Sequence, residues 1–240
     1  DLIISAYITS KDYKGALEFL KNKKTIKEQT LFQKVSFFRG VELFNEENYT
    51  LAKENFENSL AILSDDLTEA QATYWKGETN YRLHNFIEAI KDFKSFMNKN
   101  SASKTVEFNE VNYNLGYAYF KQKEFDKAID QFKKYINKSN TDPIKKNDSY
   151  LRIGDSYFIT RDYNNTITYY NKAIEMKGVD TDYAQFQKAI SYGLIGNENG
   201  KIKELVSFLN THTKSGYRDD AHYVLGNSYI KTNENYLALE

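Results

Sequence analysis

Small or apolar residues recur at Ile4, Gly40, Gly77, Gly116, Gly154, Ala189 and Gly226, in steps of 35 to 39 residues. Twelve places after each comes Ala16, Ala52, Ala89, Ala128, Thr166, Lys201 or Ala238, and four places further on Leu20, Phe56, Phe93, Phe132, Tyr170 or Leu205. Apolar positions spaced by three and four mark one face of a helix. In the clearest copy they predict a helix over 112–121, with Leu115, Ala118 and Tyr119 on one side. A second helix is predicted over 126–136, its apolar side being Ala128, Ile129, Phe132 and Ile136. Only a short corner over 122–125 joins them, which makes the two helices antiparallel neighbours. A period of tens of residues predicts a stack of such hairpins, in which each unit buries its apolar face against the next.

Glycine in a helix interior costs about 0.5–1 kcal/mol relative to alanine, so five glycines at one register call for a compensating contact. Close approach of the partner helix supplies it. Polar and turn-forming residues fill the segments between hairpins, at 64–66, 98–103, 137–142 followed by Pro143, 177–180 and 211–216. The acidic pairs Asp65–Asp66 and Asp219–Asp220 stand where helices begin, and are expected to cap backbone N–H groups there.

Composition narrows the functional classes. Lys plus Arg and Asp plus Glu number 33 each, so no excess charge draws the chain toward nucleic acid. Lysine pairs such as Lys23–Lys24, Lys133–Lys134 and Lys145–Lys146 are scattered along solvated faces. There is no cysteine, which excludes a disulfide framework and thiolate zinc sites. No apolar stretch approaches the roughly 18–20 residues that span a bilayer, so membrane insertion is not expected. One proline among 240 residues, with 20 Tyr and 16 Phe, fits long helices that bury aromatic rings.

The unit Asn112-Tyr113-Asn114-Leu115-Gly116-Tyr117-Ala118-Tyr119-Phe120, followed by Phe125-Asp126-Lys127-Ala128-Ile129 and Phe132, resembles the tetratricopeptide repeat. Units around Gly40, Gly77 and Gly154 match well, and the whole chain falls into the pattern. Around Ala189 the stretch 193–200 replaces the usual corner, and in the last unit Tyr236 precedes Ala238 by two places where Phe125 precedes Ala128 by three. The resemblance implies an all-α fold, a right-handed α-solenoid superhelix of antiparallel helix-turn-helix repeats. Units are expected over 1–24 and 219–240, both partial, and over 33–64, 70–100, 109–140, 147–178 and 182–211. With Asp1 inside a first helix and Glu240 inside a second, a fragment of a longer array is expected. The stretch from Ser215 to Gly226 is similar to repeat openings of bacterial cell-envelope members of the family, which points to a periplasmic or envelope protein.

The same resemblance implies a non-catalytic scaffold that holds a peptide or protein segment in the concave groove lined by first helices. Candidate groove residues three before, one after and four after the small residue are Phe37, Tyr74, Glu78, Tyr81, Tyr113, Tyr117, Phe120, Asp155, Phe158, Tyr223 and Asn227, joined by Arg152, two before it. These rings suit either a grip on a partner or packing between adjacent first helices. A structural spacer in an envelope assembly, and an accessory repeat region fused to a catalytic or regulatory domain, are the alternatives. A clamp for a terminal carboxylate, known in some family members, is not expected. Its positions hold Tyr74, Glu78, Asn114, Asp148 and Arg152, and Glu78 and Asp148 would repel a carboxylate.

No cofactor or metal is expected. His84, His212 and His222 form no metal-binding spacing, and 193–200 is too sparse in glycine for a phosphate loop. No nucleophile elbow occurs, so an enzyme is not expected.

Overall fold

The computed structural model describes residues 7, 9–21, 25–62 and 64–238. Ile4, Lys23, Lys24, Asp1 and Glu240 lie outside the described residues, so the expectations placed on them have no counterpart here. The described residues form helices and turns without strands, in two compact units, Asp1–Glu124 and Phe125–Glu240.

The first unit holds α1 (Tyr13–Leu20), α2 (Ile26–Asn45), α3 (Tyr49–Leu60), α4 (Asp66–Arg82), α5 (Phe86–Met97) and α6 (Val111–Lys121). The second holds α7 (Phe125–Ile136), α8 (Pro143–Ile159), α9 (Tyr163–Glu175), α10 (Thr181–Leu194), α11 (Glu198–Thr211) and α12 (Arg218–Lys231). Within each unit every helix packs on the next in the chain, and α2 also touches α4 and α4 touches α6. These are stacked helical hairpins of the α-solenoid class.

Each hairpin corner is made the same way. Seven places after the small residue the backbone turns left-handed, at Lys11, Glu47, His84, Lys123, Arg161, Gly196 and Asn233, with φ between 57° and 79°. The next N–H then reaches back to the carbonyl five residues earlier. Asn48 N bonds Leu43 O at 2.8 Å, Asp162 N bonds Tyr157 O at 2.9 Å, and Asn197 N bonds Tyr192 O at 2.9 Å. This is the Schellman closure, which satisfies carbonyls that a helix end leaves bare. The corner after Ala189, unusual in sequence, is ordinary in geometry, with Gly196 simply supplying the left-handed residue. The last corner keeps its length too. Asn233 is left-handed at the standard place and Glu234 N bonds Tyr229 O at 2.8 Å, so Tyr236 is an aromatic displaced by one position and left 70% exposed.

Gly40, Gly77 and Gly154 have the reason expected of helix-interior glycines. A Cβ on Gly40 would stand 2.6 Å from the Phe56 ring, one on Gly77 2.9 Å from Phe93, and one on Gly154 2.7 Å from Tyr170. Each ring lies sixteen places after its glycine and is buried. Where the sixteenth residue is Leu205, the small residue is Ala189, and both are fully buried in one cluster with Phe186 and Phe208. A shorter side chain leaves room for one methyl group.

Helix entry also follows the sequence. Asp65 accepts from Thr68 N at 2.8 Å, Asp162 from Asn165 N at 3.2 Å, and Asp142 from Ile144 N at 2.7 Å with Pro143 in the first turn of α8. Asp219 and Asp220 sit inside the first turn of α12, where they favour the helix dipole; the cap there is Tyr217, without a side-chain hydrogen bond. The segment 98–103, expected as loop, leads into two short 3-10 turns, Ala102–Lys104 and Val106–Asn109.

Candidate functional site

A helix advances about 100° per residue, so relative to the small residue the positions at −3 and +4 lie only about 60° and 40° away, whereas +1, +5 and −2 lie about 100–160° away. The small residue touches the second helix of its hairpin. Positions −3 and +4 are therefore drawn toward that interface. Phe37 and Tyr74 are buried, the first against Phe56 at a ring separation of 6.2 Å and the second against Phe93 at 5.7 Å. Leu151 and Phe186 take the same place in the second unit.

The +4 rings reach across the corner to the start of the second helix. Tyr81 meets Phe86 at 5.4 Å, Phe158 meets Tyr163 at 5.8 Å, and Phe44 meets Tyr49 at 5.3 Å in the same manner. Half-buried Phe120 occupies the equivalent place on α6. Tyr223 is the exposed −3 residue, at 74%, and Asn227 beside it is exposed as well. Among the described residues, a Cβ on Gly226 between them would meet only Ala238 O, at 3.9 Å.

In the first unit the first-helix face carries a pocket of about 180 Å³ lined by Glu78, Tyr81, Arg82, Tyr113, Asn114 and Tyr117. Four of these were candidates from sequence. The structure adds Arg82 and Asn114, at +5 and −2. Tyr113 and Tyr117, one turn apart on α6, meet edge to face at 5.1 Å. Asn114 Nδ2 donates to the Tyr74 hydroxyl at 2.6 Å and to Glu78 Oε1, joining α6 to α4. Burial, reinforced by the carboxylates of Glu78, Glu110 and Glu107, pushes the Tyr74 hydroxyl far above the usual tyrosine range. Tyr74 is therefore neutral and acts here as an acceptor.

Behind this wall Trp75 Nε1 donates to Glu107 Oε1 at 3.1 Å, while Glu107 Oε2 is buried without a hydrogen-bond partner. A second hollow on the same unit is lined by Tyr13, Phe38 and Val41 with Glu42, Glu46 and Lys11. Phe38, at −2 and 40% exposed, was absent from the sequence candidates. In the run Phe37-Phe38, the −3 position turns Phe37 toward the hairpin interface and the −2 position turns Phe38 away from it.

In the second unit Asp155 and Arg152 are tied into a structural network. Arg152 Nη1 donates to Asp155 Oδ2 at 2.6 Å and Arg152 Nε to Asp148 Oδ1 at 3.3 Å. Asp155 Oδ1 accepts from the hydroxyls of Tyr170 at 2.7 Å and Tyr183 at 2.9 Å, so one carboxylate links α8, α9 and α10. Burial raises the Asp155 carboxyl above its ordinary range against the pull of Arg152 and the two tyrosines. His84 lies in a corner, His212 Nε2 is 3.0 Å from Gln185 Oε1, and His222 is exposed. No helix among the described residues is long and apolar enough to cross a membrane.

Residues 109–142 and 148–180 each match the model of the tetratricopeptide repeat family. The chain thus carries tetratricopeptide repeats, and solved structures extend the likeness of fold to the remaining hairpins. The C-terminal part of a TPR repeat-containing protein from Cytophaga hutchinsonii is similar over 98% of this chain and 90% of that one, with a TM-score of 0.70 at 14% identity. MamA is similar over 76% of this chain and 93% of that one, with a TM-score of 0.64 at 20% identity. YrrB, a TPR protein with an unusual peptide-binding site, is similar over 84% and 93%, with a TM-score of 0.62 at 14% identity. No curated protein matches the chain in sequence.

Proposed function

We propose that the chain is a non-catalytic protein-interaction scaffold whose first-helix face holds a segment of a partner protein. The observation that carries this is the pocket lined by Glu78, Tyr81, Arg82, Tyr113, Asn114 and Tyr117. Its half-buried tyrosines offer large contact area with few rotatable bonds, the kind of side chain that anchors protein interfaces. The tetratricopeptide repeats and the peptide-binding site of a protein with like fold support the same reading. Balanced charge supports a protein partner over nucleic acid.

The test is capture of partner from a lysate of the source cells by the wild-type chain and by Tyr113→Ala/Tyr117→Ala. The expected result is a protein retained by wild type and lost by the variant, with helical circular dichroism unchanged in both. Equal retention by both would remove these tyrosines from the interface. A second reading, a structural spacer, is favoured by the inward packing of Phe37, Tyr74, Leu151 and Phe186, and predicts that neither form retains anything at this face.

A further inference from the structure

Resting on the groove reading above, we propose that the pocket of the first unit receives a positively charged side chain, lysine or arginine, of the bound segment. Its size suits one side chain. At about 180 Å³ it falls below the roughly 300 Å³ at which small-molecule sites begin. Its walls suit a cation. Tyr81, Tyr113 and Tyr117 supply rings whose negative faces attract ammonium or guanidinium groups, and Glu78 supplies a carboxylate among them.

The ground behind the pocket has the same sign. Glu78, Glu107 and Glu110 all act on the Tyr74 hydroxyl, which Asn114 of the pocket lining bonds at 2.6 Å, and Glu107 keeps one buried oxygen without a hydrogen-bond donor. An acidic side chain entering here would meet Glu78 and the electron-rich faces of the rings. Against these stands Arg82, exposed on the rim, whose charge opposes a cation and favours an anion. Glu78 and Arg82 thus make opposite predictions for the two kinds of occupant. The second hollow, with Tyr13 and Phe38 beside Glu42 and Glu46, repeats the mixture of rings and carboxylates two helices earlier, where Glu42 already pairs with Arg39 and Lys11 lies on the lining.

The experiment uses the full chain against pools of nonapeptides with randomised flanks and a fixed central residue: Lys, Arg, Gln or Glu. Capture is read by anisotropy of labelled peptide and by emission of Trp75, the sole tryptophan, whose indole bonds Glu107 in the same unit. Lys- and Arg-centred pools should be preferred over the Glu-centred pool by about 3- to 10-fold. Glu78→Gln should abolish that preference and Arg82→Gln should increase it, with unchanged circular dichroism.

Equal capture of all pools, or a Glu preference that Arg82→Gln removes, overturns the proposal. If capture shows no charge preference yet is lost in Tyr113→Ala/Tyr117→Ala, the groove reading stands and this inference alone falls. Capture of no pool, or capture indifferent to the tyrosine and charge variants alike, overturns both.

Discussion

Gly40 and Phe56 show how one residue shapes another sixteen places away. A Cβ at Gly40 would sit 2.6 Å from the ring, so alanine gains about 0.5–1 kcal/mol of helix propensity but meets an overpacking cost of about 1–3 kcal/mol. The clash wins. Gly40→Ala is expected to lower stability by about 1 kcal/mol, and Phe56→Leu to lower it through a cavity. The double variant recreates the Ala189 and Leu205 pair, so it should lose less than the two losses summed, by about 1 kcal/mol. Urea melts of the four proteins measure this; additive losses would separate the glycine from the ring. The pairing is legible in the sequence as a constant offset. Which neighbours of the glycine face solvent is less so, since Phe37 and Tyr74 read as groove aromatics, and Phe38 does not, until the angle from the hairpin interface is considered.

Among elements, the corners carry the regularity that side chains obscure. Left-handed backbone costs about 1 kcal/mol for a residue with a Cβ, and among the seven corner positions only Gly196 avoids it. Nothing lies within 4 Å of where a Cβ on Gly196 would stand, so Gly196→Ala probes backbone alone. It should lower stability by about 1 kcal/mol, while Arg161→Gly, at the same place in its hairpin, should raise it by up to about 1 kcal/mol. Thermal melts of both variants check this, and equal signs would refute the common corner. Short links predicted these corners from the sequence, and the 6→1 bond explains why residues as different as Lys11, His84 and Asn233 serve: the contact is made by backbone.

For the whole molecule, acid sensitivity rests on carboxylates held below their ordinary range, Asp65 in the first unit and, with the large shift, Glu198 in the second. There Glu198 joins the start of α11 to the end of α12, bonding Lys231 at 2.7 Å and Lys201 at 3.1 Å. Partial burial opposes its ionisation, yet hydrogen bonds from Lys231, Ser228 and Lys201 hold the carboxyl down to about 2. An unfolded glutamate titrates near 4.3, so between about pH 4 and 2 the unfolded chain binds the extra proton and the stabilisation drains away as pH falls. Asp182 moves in the same direction through its bond from Ser215. Asp92 and Asp155, raised by burial, move oppositely. Glu198→Gln should therefore be less stable than wild type at pH 6, with the gap closing by pH 2; a gap independent of pH would exclude this carboxylate as the cause.

Sequence alone determined the all-helical class, the hairpin period, the small-residue and ring pairs, and the absence of cysteine-based chemistry, because each of these follows from local spacing and composition. Tertiary structure decided which candidate residues remain available to a partner. It placed Phe37 and Tyr74 in the core, committed Arg152 and Asp155 to a buried network across α8, α9 and α10, and brought Arg82 and Asn114 to the pocket beside Tyr113 and Tyr117. Spacing along one helix says which residues share a side. Only the neighbouring helices determine whether that side meets protein or solvent.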